Sequence, residues 1–347
     1  MNLVIVESPS KAKTINKYLG KDYIVKASKG HIVDLPKSKI GVDVENNFEP
    51  QYEVTNKTAL ADIKKAYKDA DKLILAVDLD REGEAIGWHI AKELKLVDDK
   101  GKLKSKKPLE RIVFHEISKE AILDALKNPR DIDMNLVNSQ QGRRVLDRLV
   151  GYKLSPLLWK KIAFGLSAGR VQSAALRLIV ERERERNEFK PDEYWKIIAN
   201  LSKNKDSKVS YKIKEKLTDE DISQANKSEV DSSSIPFSLV KIDNKTSLVK
   251  NKKSAEQILE DLKKSDWIIS SISSTNQKRS ARPPFITSTF QQSAVNKLGF
   301  TAKRAMQAAQ KLYEAGLITY MRTDSVYISP QAIDSTRKFI KSELGEK

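Results

Sequence analysis

The sequence predicts a multidomain α/β protein with additional mixed α and β parts, and three observations support this fold class. Strand and helix patterns alternate through the first third of the chain. Long arginine-rich helices follow over 133–187, and a polar β-rich stretch over 200–255 separates them from a helical segment after residue 284. Because the chain has 347 residues, it has room for two or three domains. Alternation of strands and helices is typical of a largely parallel sheet.

The predicted sheet is built from four buried-strand patterns. The strands are expected at 3–7, 23–28, 72–78 and 110–117, and the helices between and after them at 9–19, 82–95 and 118–127. In parallel sheets, ligands bind at the carboxyl ends of the strands. Glu7 ends the first strand and Asp78 ends the third. These two acids therefore meet if the two strands are neighbours.

The stretch LAVDLDREGEAIGW, residues 75–88, gathers acids within a basic chain. Asp78, Asp80, Glu82 and Glu84 alternate here, although the whole chain has 64 Lys and Arg against 47 Asp and Glu, a formal net charge of +17. Acids before a helix can simply cap it and remain solvated. A cluster of this density favours a hard cation instead, and Mg²⁺ takes oxygen ligands while keeping several waters. Glu7 fits two interpretations equally well, as a further ligand or proton carrier and as a polar residue leaving a strand.

A second polar focus is GLITYMRTDS, residues 316–325. A buried packing residue is the commoner meaning of a tyrosine such as Tyr320, but Arg322 and the flanking threonines make its setting unusually polar. Tyrosine acts as a nucleophile when its phenolate is stabilised. Arginine can hold a phosphate through two parallel hydrogen bonds. The residues alone leave the packing and the catalytic interpretations open.

Composition excludes several kinds of site. Cysteine is absent, which rules out disulfides and thiolate zinc sites and is typical of a reducing compartment. His31, His89 and His115 are too widely spaced for a metal-ligand pattern. No run of about 18 apolar residues predicts a membrane span, and the first residues do not resemble a secretory signal. The excess of positive charge indicates either a polyanionic partner such as nucleic acid or solubility alone.

The chain resembles the type IA DNA topoisomerases, of the bacterial topoisomerase I kind, in five motifs that occur in order from residue 2 to about 330. The motifs are VIVESPSKAKTI, DLDREGEAI, GLSAGRVQSAALRLIVERE, RPPFITSTFQQSA and GLITYMRTDS. The acidic motif is similar to the Toprim domain, which primases and some nucleases share. The resemblance implies a Toprim-like metal-binding domain over 1–132, an arginine-rich helical segment that binds single-stranded DNA over 133–190, a β-rich arch segment over 191–279 and a partial tyrosine-bearing domain over 280–347.

The resemblance also implies a role for each catalytic group. Tyr320 would attack a phosphodiester of one strand and form a 5′-phosphotyrosyl link, while Arg322 would steady the scissile phosphate. Glu7 would lie near the leaving 3′-oxygen, and Lys11 would donate charge or a proton. The implied Mg²⁺ ligands are Glu7, Asp78, Asp80 and Glu82. In the family the metal matters more for religation than for the cut.

Six residues match family positions that hold the single strand beside the cleavage site. They are Arg143, Arg144, Asp147, Tyr152, Arg170 and Gln172. Physically, Arg144 and Asp147 lie one helical turn apart and can form a paired polar surface. Tyr152 offers a stacking face that tolerates any base. Without the resemblance, a solvated helix with ion pairs is the preferred interpretation. Apolar residues of the second helix, including Val171 and Ile179, follow helical periodicity and are expected in the core.

The expected function is that of an ATP-independent, Mg²⁺-dependent type IA topoisomerase that relaxes negatively supercoiled DNA. The resemblance implies single-stranded or negatively supercoiled DNA as the partner, a monomer, and a nucleoid-associated place in the bacterial cytoplasm. Family members are longer, so we expect a truncated chain without the closed gate that strand passage needs. Two alternatives stay open: a Toprim nuclease or primase-like enzyme in which Tyr320 is structural, and a non-catalytic DNA-binding fragment.

Overall fold

The structure is a computed structural model, and it describes residues 1–201, 235–246 and 248–345. The chain divides into two compact units. The first unit comprises Met1–Leu176 together with Ser280–Lys347, and the second comprises Arg177–Arg279.

The described residues form twelve strands and ten helices. The strands are β1 (Asn2–Val6), β2 (Tyr23–Ala27), β3 (Val33–Asp34), β4 (Val42–Asp43), β5 (Glu49–Pro50), β6 (Glu53–Val54), β7 (Lys72–Leu75), β8 (Leu109–Arg111), β9 (Ile198–Leu201), β10 (Ile235–Ser238), β11 (Lys241–Ile242) and β12 (Lys245–Thr246). The helices are α1 (Pro9–Tyr18), α2 (Lys57–Lys68), α3 (Arg81–Glu93), α4 (Lys119–Lys127), α5 (Met134–Lys161), α6 (Arg170–Glu188), α7 (Lys252–Lys263), α8 (Thr287–Leu298), α9 (Ala302–Glu314) and α10 (Pro330–Leu344).

The main sheet of the first unit confirms the four predicted strands and their parallel pairing. Its order is β2-β1-β7-β8, and all three pairs are parallel. Three strands are shorter than predicted, β2 by one residue and β7 and β8 by more. β7 ends at Leu75, and a turn that leads to α3 follows. β8 ends at Arg111, which pairs with Leu75 of β7 and also forms an isolated antiparallel bridge with Arg130.

Helices cover both faces of this sheet because both faces are apolar. Leu3, Ile5, Leu73 and Leu75 point to one face, where they pack with residues of α2 and α3 such as Ile63 and Trp88. Val4, Val6 and Ile74 point to the other face, and their cluster includes Ile15 of α1, Ile122 of α4 and Tyr313 of α9. Strands buried on both faces read as continuous apolar runs, which is the pattern that predicted them. The segment that carries the candidate tyrosine therefore packs directly against the sheet.

Most helices of the first unit begin at a side chain that caps them. Ser8, Asn56, Asp80, Ser118 and Asp133 each accept a hydrogen bond from a backbone N–H of the first helical turn. Such caps satisfy donors that the helix itself leaves free, so these starts follow from local sequence. Helix α2 was not predicted, although Asn56 marks its beginning. No helix among the described residues is both long and apolar enough to cross a membrane.

The expectation that the apolar residues of α6 lie in the core is wrong. No residue of α6 is buried, and Val171 and Ile179 leave 62% and 65% of their surface exposed. Helical periodicity predicts that a helix has an apolar face, but it does not predict that another element of the described chain covers that face. Ion pairs along the helix, such as Arg177 with Glu181, accompany this exposure.

The second unit is small and contains short antiparallel pairs. β9 pairs with β10, and β11 pairs with β12. Ile197, Val249 and Ala255 form its buried cluster, and α7 covers it. The predicted β-like piece over 237–242 overlaps β10 and β11, whereas the one over 209–214 lies outside the described residues.

Candidate active site

The candidate active site begins where β1 and β7 end side by side. Glu7 directly follows β1, and Asp78 lies three residues beyond β7. The two strands are hydrogen-bonded neighbours, and the backbone N–H of Asp78 donates to Oε1 of Glu7. The prediction that these two acids meet at the carboxyl edge of the sheet is therefore confirmed.

Lys11 neutralises this pair of acids. It lies on the first turn of α1, and its Nζ is 3.0 Å from Oε2 of Glu7 and 2.9 Å from Oδ1 of Asp78. The ammonium also lies 4.9 Å from the centre of the Phe114 ring, and Lys11 as a whole is 1% exposed. Burial raises the pKa of Glu7 above its ordinary value, although the charge of Lys11 works in the opposite direction. A lysine this deeply buried is stable only with such carboxylate partners.

The acidic turn after β7 is shaped by Asp80 and Gly83. Asp80 is the N-cap of α3, and its Oδ1 accepts a hydrogen bond of 2.9 Å from the N–H of Gly83. A Cβ atom on Gly83 would lie 2.4 Å from the carbonyl oxygen of Asp78, so a side chain at this position would force the turn apart. Asp80 thus has the capping role that the sequence offered as an alternative, and its second oxygen remains for another partner.

That second oxygen binds Tyr320 and Arg322. The Tyr320 hydroxyl donates to Oδ2 of Asp80 at 2.5 Å, and Nη1 of Arg322 lies 3.1 Å from the same atom. The backbone N–H of Tyr320 donates to the carbonyl of His115, and its ring makes an edge contact with Tyr313 at 5.1 Å. Residues 240 positions apart in sequence are therefore joined at one carboxylate.

Tyr320 holds its proton firmly in this arrangement. The side chain is buried, with 4% of the residue exposed. Burial is the main cause that raises the pKa of the Tyr320 phenol, and the negative charges of Asp78 and Asp80 raise it further. The positive charge of Arg322 lowers it. The neutral phenol is thus the stable form until more positive charge, or a different partner for Asp80, reaches the site.

Glu82 is held by partners other than those of Asp80, one of them on α5. Its Oε2 lies 3.3 Å from Nε2 of His31 and accepts a hydrogen bond of 3.1 Å from Nε2 of Gln140. The hydrogen bond from His31, together with the one from Gln140, lowers the pKa of Glu82 to about 2, against a smaller effect of burial. Glu82 is therefore ionised at neutral pH.

A cleft of about 410 Å³ brings the predicted acids and Arg322 together with one side of α9. The residues that line it are Glu7, Asp78, Asp80, Glu82, Gly83, Ile86, Lys303, Met306, Gln307, Gln310, Met321 and Arg322. Gly316 has φ +77°, and a Cβ there would lie 2.6 Å from the carbonyl oxygen of Ile117, so the chain after α9 closely approaches the connection between β8 and α4. This close approach delivers Tyr320 and Arg322 to the acidic turn.

The donor set of the cleft fits Mg²⁺ by its chemistry. Four carboxylates supply hard oxygen atoms, and Mg²⁺ is usually held by one or two carboxylates together with waters and phosphate oxygens. Within the described residues, no three acidic or histidine side chains converge closely enough to enclose a metal ion. The carboxylates instead bind Lys11, Arg322 and His31. Lys11, Arg322, His31 and Gln140 are thus the donors that the structure places beside these carboxylates.

The six predicted DNA-binding residues lie on α5 and at the start of α6, and the structure pairs them differently from the prediction. Arg144 binds Asp34 through two hydrogen bonds of 2.8 and 2.7 Å and does not pair with Asp147. Asp147 instead accepts from Arg170 at 3.0 Å and lies 3.7 Å from Arg143. We call Arg143, Arg144, Asp147 and Arg170 the arginine face. The predicted Arg144–Asp147 pair is wrong because helical spacing does not reveal a partner 110 residues away in sequence.

Tyr152 and Gln172 occupy the surroundings of the arginine face. The Tyr152 hydroxyl donates to the carbonyl of Lys37 at 2.7 Å and accepts from Arg148 at 2.9 Å. The Arg148 guanidinium also lies 5.0 Å from the centre of the Tyr152 ring. Oε1 of Gln172 lies 3.5 Å from the Ser167 hydroxyl. Both residues are exposed, so both can reach a ligand.

Several residues of the site were not identified from the sequence. Tyr313 contacts the ring of Tyr320, and Gln140 binds Glu82. Arg111 and Glu84 form a buried ion pair directly behind the acidic turn. Glu84 carried a signal, since it is the fourth acid of the alternating series. Nothing in the local sequence marks the other three.

Comparisons with known proteins agree with the motifs. A family described as DNA topoisomerase matches residues 131–347, and the Toprim domain family matches residues 2–117. DNA topoisomerase 1 of Campylobacter jejuni is 48% identical over 99% of this chain, which covers 46% of that protein. The structure of full-length topoisomerase I from Thermotoga maritima matches with a TM-score of 0.76 and 38% identity, covering 99% of this chain and 53% of that chain. The chain thus spans about half the length of these relatives.

Proposed function

The chain belongs to the DNA topoisomerase family, and from this premise we propose that it cuts and reseals one DNA strand as a type IA enzyme, through a phosphotyrosyl link. One observation carries the proposal. The Tyr320 hydroxyl and the Arg322 guanidinium meet at Oδ2 of Asp80, in the cleft that Glu7 also lines. A nucleophile, a phosphate-binding cation and acids suited to a metal thus share one site.

In the proposed cut, the Tyr320 oxygen attacks the phosphorus of a phosphodiester. The bond between phosphorus and the 3′-oxygen breaks, the 5′-phosphate remains on the tyrosine, and the 3′-oxygen takes a proton. Arg322 is 55% exposed at its side chain, so it can turn from Asp80 to a phosphate and hold it through two hydrogen bonds. The phenolic proton leaves toward Oδ2 of Asp80, the acceptor that already binds it. Religation is the reverse of this step.

Lys11 and Glu7 are proposed to serve the leaving oxygen. Two of the N–H groups of Lys11 donate to Glu7 and Asp78, and an ammonium has three. The third is proposed to protonate the 3′-oxygen or to stabilise its charge. Glu7 keeps Lys11 in place, because a buried ammonium is stable only beside a carboxylate partner. This pairing holds a proton close to the point where the bond breaks.

Asp78, Asp80 and Glu82, with Glu7 as a further ligand, would hold Mg²⁺. When bound, Mg²⁺ would neutralise these carboxylates beside the DNA phosphates and help to place the cut 3′-end for religation. Hydrogen bonds within the protein hold the carboxylates in position. Gly83 and the Asp80 cap hold the turn, and Gln140 and His31 hold Glu82.

The arginine face, Tyr152 and Gln172 are proposed to hold single-stranded DNA beside the cut. The arginine side chains are 37–40% exposed, and surface ion pairs of this kind are weak enough to exchange for phosphate contacts. Single-stranded or negatively supercoiled DNA is therefore the proposed substrate, and relaxation of negative supercoils is the proposed overall reaction of the enzyme. A monomer and a nucleoid-associated location in the bacterial cytoplasm stay predictions from the resemblance. The division into four domains, with boundaries after residues 132, 190 and 279, also stays a prediction.

The test is to trap the covalent intermediate on a short single-stranded oligonucleotide. A label at the 3′-end of the DNA should migrate with the protein on a denaturing gel, whereas a label at the 5′-end should appear on a free fragment. A Toprim nuclease would release both labels on free fragments. A chain that binds the oligonucleotide but produces neither adduct nor fragment would be a non-catalytic DNA-binding protein. This assay does not require strand passage, so it tests the cut and the phosphotyrosyl link by themselves.

A further inference from the structure

A buried arginine that the proposed mechanism does not use lies behind the acidic turn. Arg111 is the last residue of β8 and is 1% exposed. Its Nε donates to Oε2 of Glu84 at 3.0 Å, and its Nη2 donates to the carbonyl of Asp78 at 2.7 Å. Its Nη1 donates to the carbonyl of Ile112 and lies 3.4 Å from that of Leu75. One guanidinium thus binds both ends of the segment that leaves β7 and carries Asp78.

Glu84 extends the same network to the beginning of α5. It is 1% exposed, and its Oε2 also accepts a hydrogen bond of 2.9 Å from Nη2 of Arg130. Its Oε1 accepts from the backbone N–H of Asp133 at 2.8 Å. Asp133 is the N-cap of α5. A single carboxylate therefore joins Arg111, the start of α5 and the acidic turn.

The two elements that this network joins carry the two halves of the proposed site. The turn carries Asp78 and Asp80, and α5 carries most of the arginine face and also Gln140, which binds Glu82. A buried ion pair gives little net stability, because removing two charges from water costs about as much as their attraction returns. A network that is this completely hydrogen-bonded does, however, restrict its members to one arrangement.

We propose that Arg111 is a positioning residue, which together with Glu84 holds the acidic turn and the N-terminus of α5 in one register. The metal-binding carboxylates would then face the strand that the arginine face holds. This inference rests on the proposed function, since the turn is the proposed Mg²⁺ site. Arg111 does not touch DNA or metal in this scheme, and it acts through the carbonyl of Asp78 and through Glu84.

The variant that tests this is Arg111→Lys. It keeps a buried cation for Glu84 but removes the planar group that binds the carbonyls of Leu75, Asp78 and Ile112. The matched control is Arg130→Lys, because Arg130 binds the same Glu84 oxygen but no carbonyl of the turn among its described contacts. If Arg111→Lys does not fold, Glu84→Asp replaces it, since the shorter carboxylate keeps its charge but cannot reach all of its donors.

Two measurements separate positioning from general stability. The first is hydrogen exchange of the backbone amides of residues 76–84 in metal-free protein. Exchange should be about tenfold faster in Arg111→Lys, as expected for the loss of a hydrogen bond from a charged donor. It should be nearly unchanged in Arg130→Lys. Binding of Mn²⁺, measured by electron paramagnetic resonance as a probe for Mg²⁺, should weaken by about tenfold in Arg111→Lys only, as is typical when a residue that supports metal ligands is changed.

The outcomes distinguish this inference from the function on which it rests. Unchanged exchange over 76–84 in Arg111→Lys overturns the inference, and so does an equal loss of Mn²⁺ affinity in Arg130→Lys. A parent chain that does not bind Mn²⁺ overturns the proposed metal site, whereas the exchange measurement, which needs no metal, still decides whether Arg111 holds the turn.

Discussion

The cleft and the arginine face both concentrate charge, but they differ in how deeply the charges lie. In the cleft and directly behind it, Lys11, Glu84 and Arg111 are each 1% exposed, and each has several partners. On the arginine face the side chains are 37–40% exposed and are paired one or two at a time. Buried charges must be compensated in a single geometry, whereas exposed pairs are screened and can exchange partners. The cleft is therefore suited to chemistry that needs fixed atoms, and the face to a substrate of variable sequence.

The change expected to separate the two regions most completely is Tyr320→Phe. It should abolish the covalent adduct, because the phenolic oxygen is the proposed nucleophile, and it should leave oligonucleotide binding largely unchanged, because the arginine face is intact. Adduct formation is measured on denaturing gels with DNA labelled at its 3′-end. Tyr327→Phe is the matched control, since Tyr327 is 76% exposed and lies outside the cleft. A covalent adduct in the Tyr320→Phe protein would show that another residue is the nucleophile.

The second prediction concerns the acids of the cleft. Replacing Asp78 and Asp80 together with Ala should slow religation by about 100-fold, because the proposed Mg²⁺ ligands are lost. Cleavage should fall less, since Tyr320 and Arg322 remain and water can accept the phenolic proton that Asp80 now binds. Both rates are measured on a short oligonucleotide across a Mg²⁺ titration, with the exposed residues Asp124 and Asp131 changed to Ala as the control. Religation at the parent rate would mean that these acids do not form the metal site.

Burial should also make the stability of the protein depend on pH, through the buried residue His89 of α3. Burial lowers the pKa of His89 to about 3, helped by the charges of His31 and Lys92. His89 is thus neutral in the folded protein but takes up a proton in the unfolded chain below about pH 6.5. The free energy of unfolding should therefore fall by about 2 kcal/mol between pH 7 and pH 5 because of this one group, and continue to fall toward pH 3.

This pH effect is measured by urea unfolding of the parent and of His89→Leu, which should lose that part of the pH dependence. His115→Gln is the control, because His115 is exposed. An equal slope of stability against pH in the parent and in His89→Leu would contradict the assignment.

The smallest effect is expected on the arginine face. Arg143→Gln combined with Arg170→Gln should weaken binding of single-stranded DNA to a similar extent for every sequence. The slope of log K against log salt should become shallower by about 1.4, which corresponds to two phosphate contacts on a single strand. Fluorescence anisotropy between low and moderate salt measures this slope, and Arg182→Gln with Arg186→Gln is the control because both pair along α6. A sequence-dependent loss would contradict a phosphate-binding face. Tighter binding of intact duplex than of single strand at equal salt would contradict the proposed single-stranded substrate.

The sequence by itself determined the parts of the molecule that depend on neighbours in the chain. Apolar runs buried on both faces predicted the parallel sheet, and capping residues such as Asp80 and Asp133 set where helices begin. The meeting of Glu7 and Asp78 was also predictable, since it required only that two parallel strands lie side by side. Local periodicity and strand direction are short-range properties, so one sequence is enough to read them.

Only the tertiary structure decided which distant groups share a partner. Tyr320 reaches Asp80 across 240 positions, and Arg144 prefers Asp34, 110 positions away, to Asp147 on its own helix. The buried position of Arg111 and the exposed apolar face of α6 were equally hidden from periodicity. The physical reason is that burial and charge compensation depend on which surfaces come together in space, and those free energies are set by long-range packing, which helical and strand spacing do not encode.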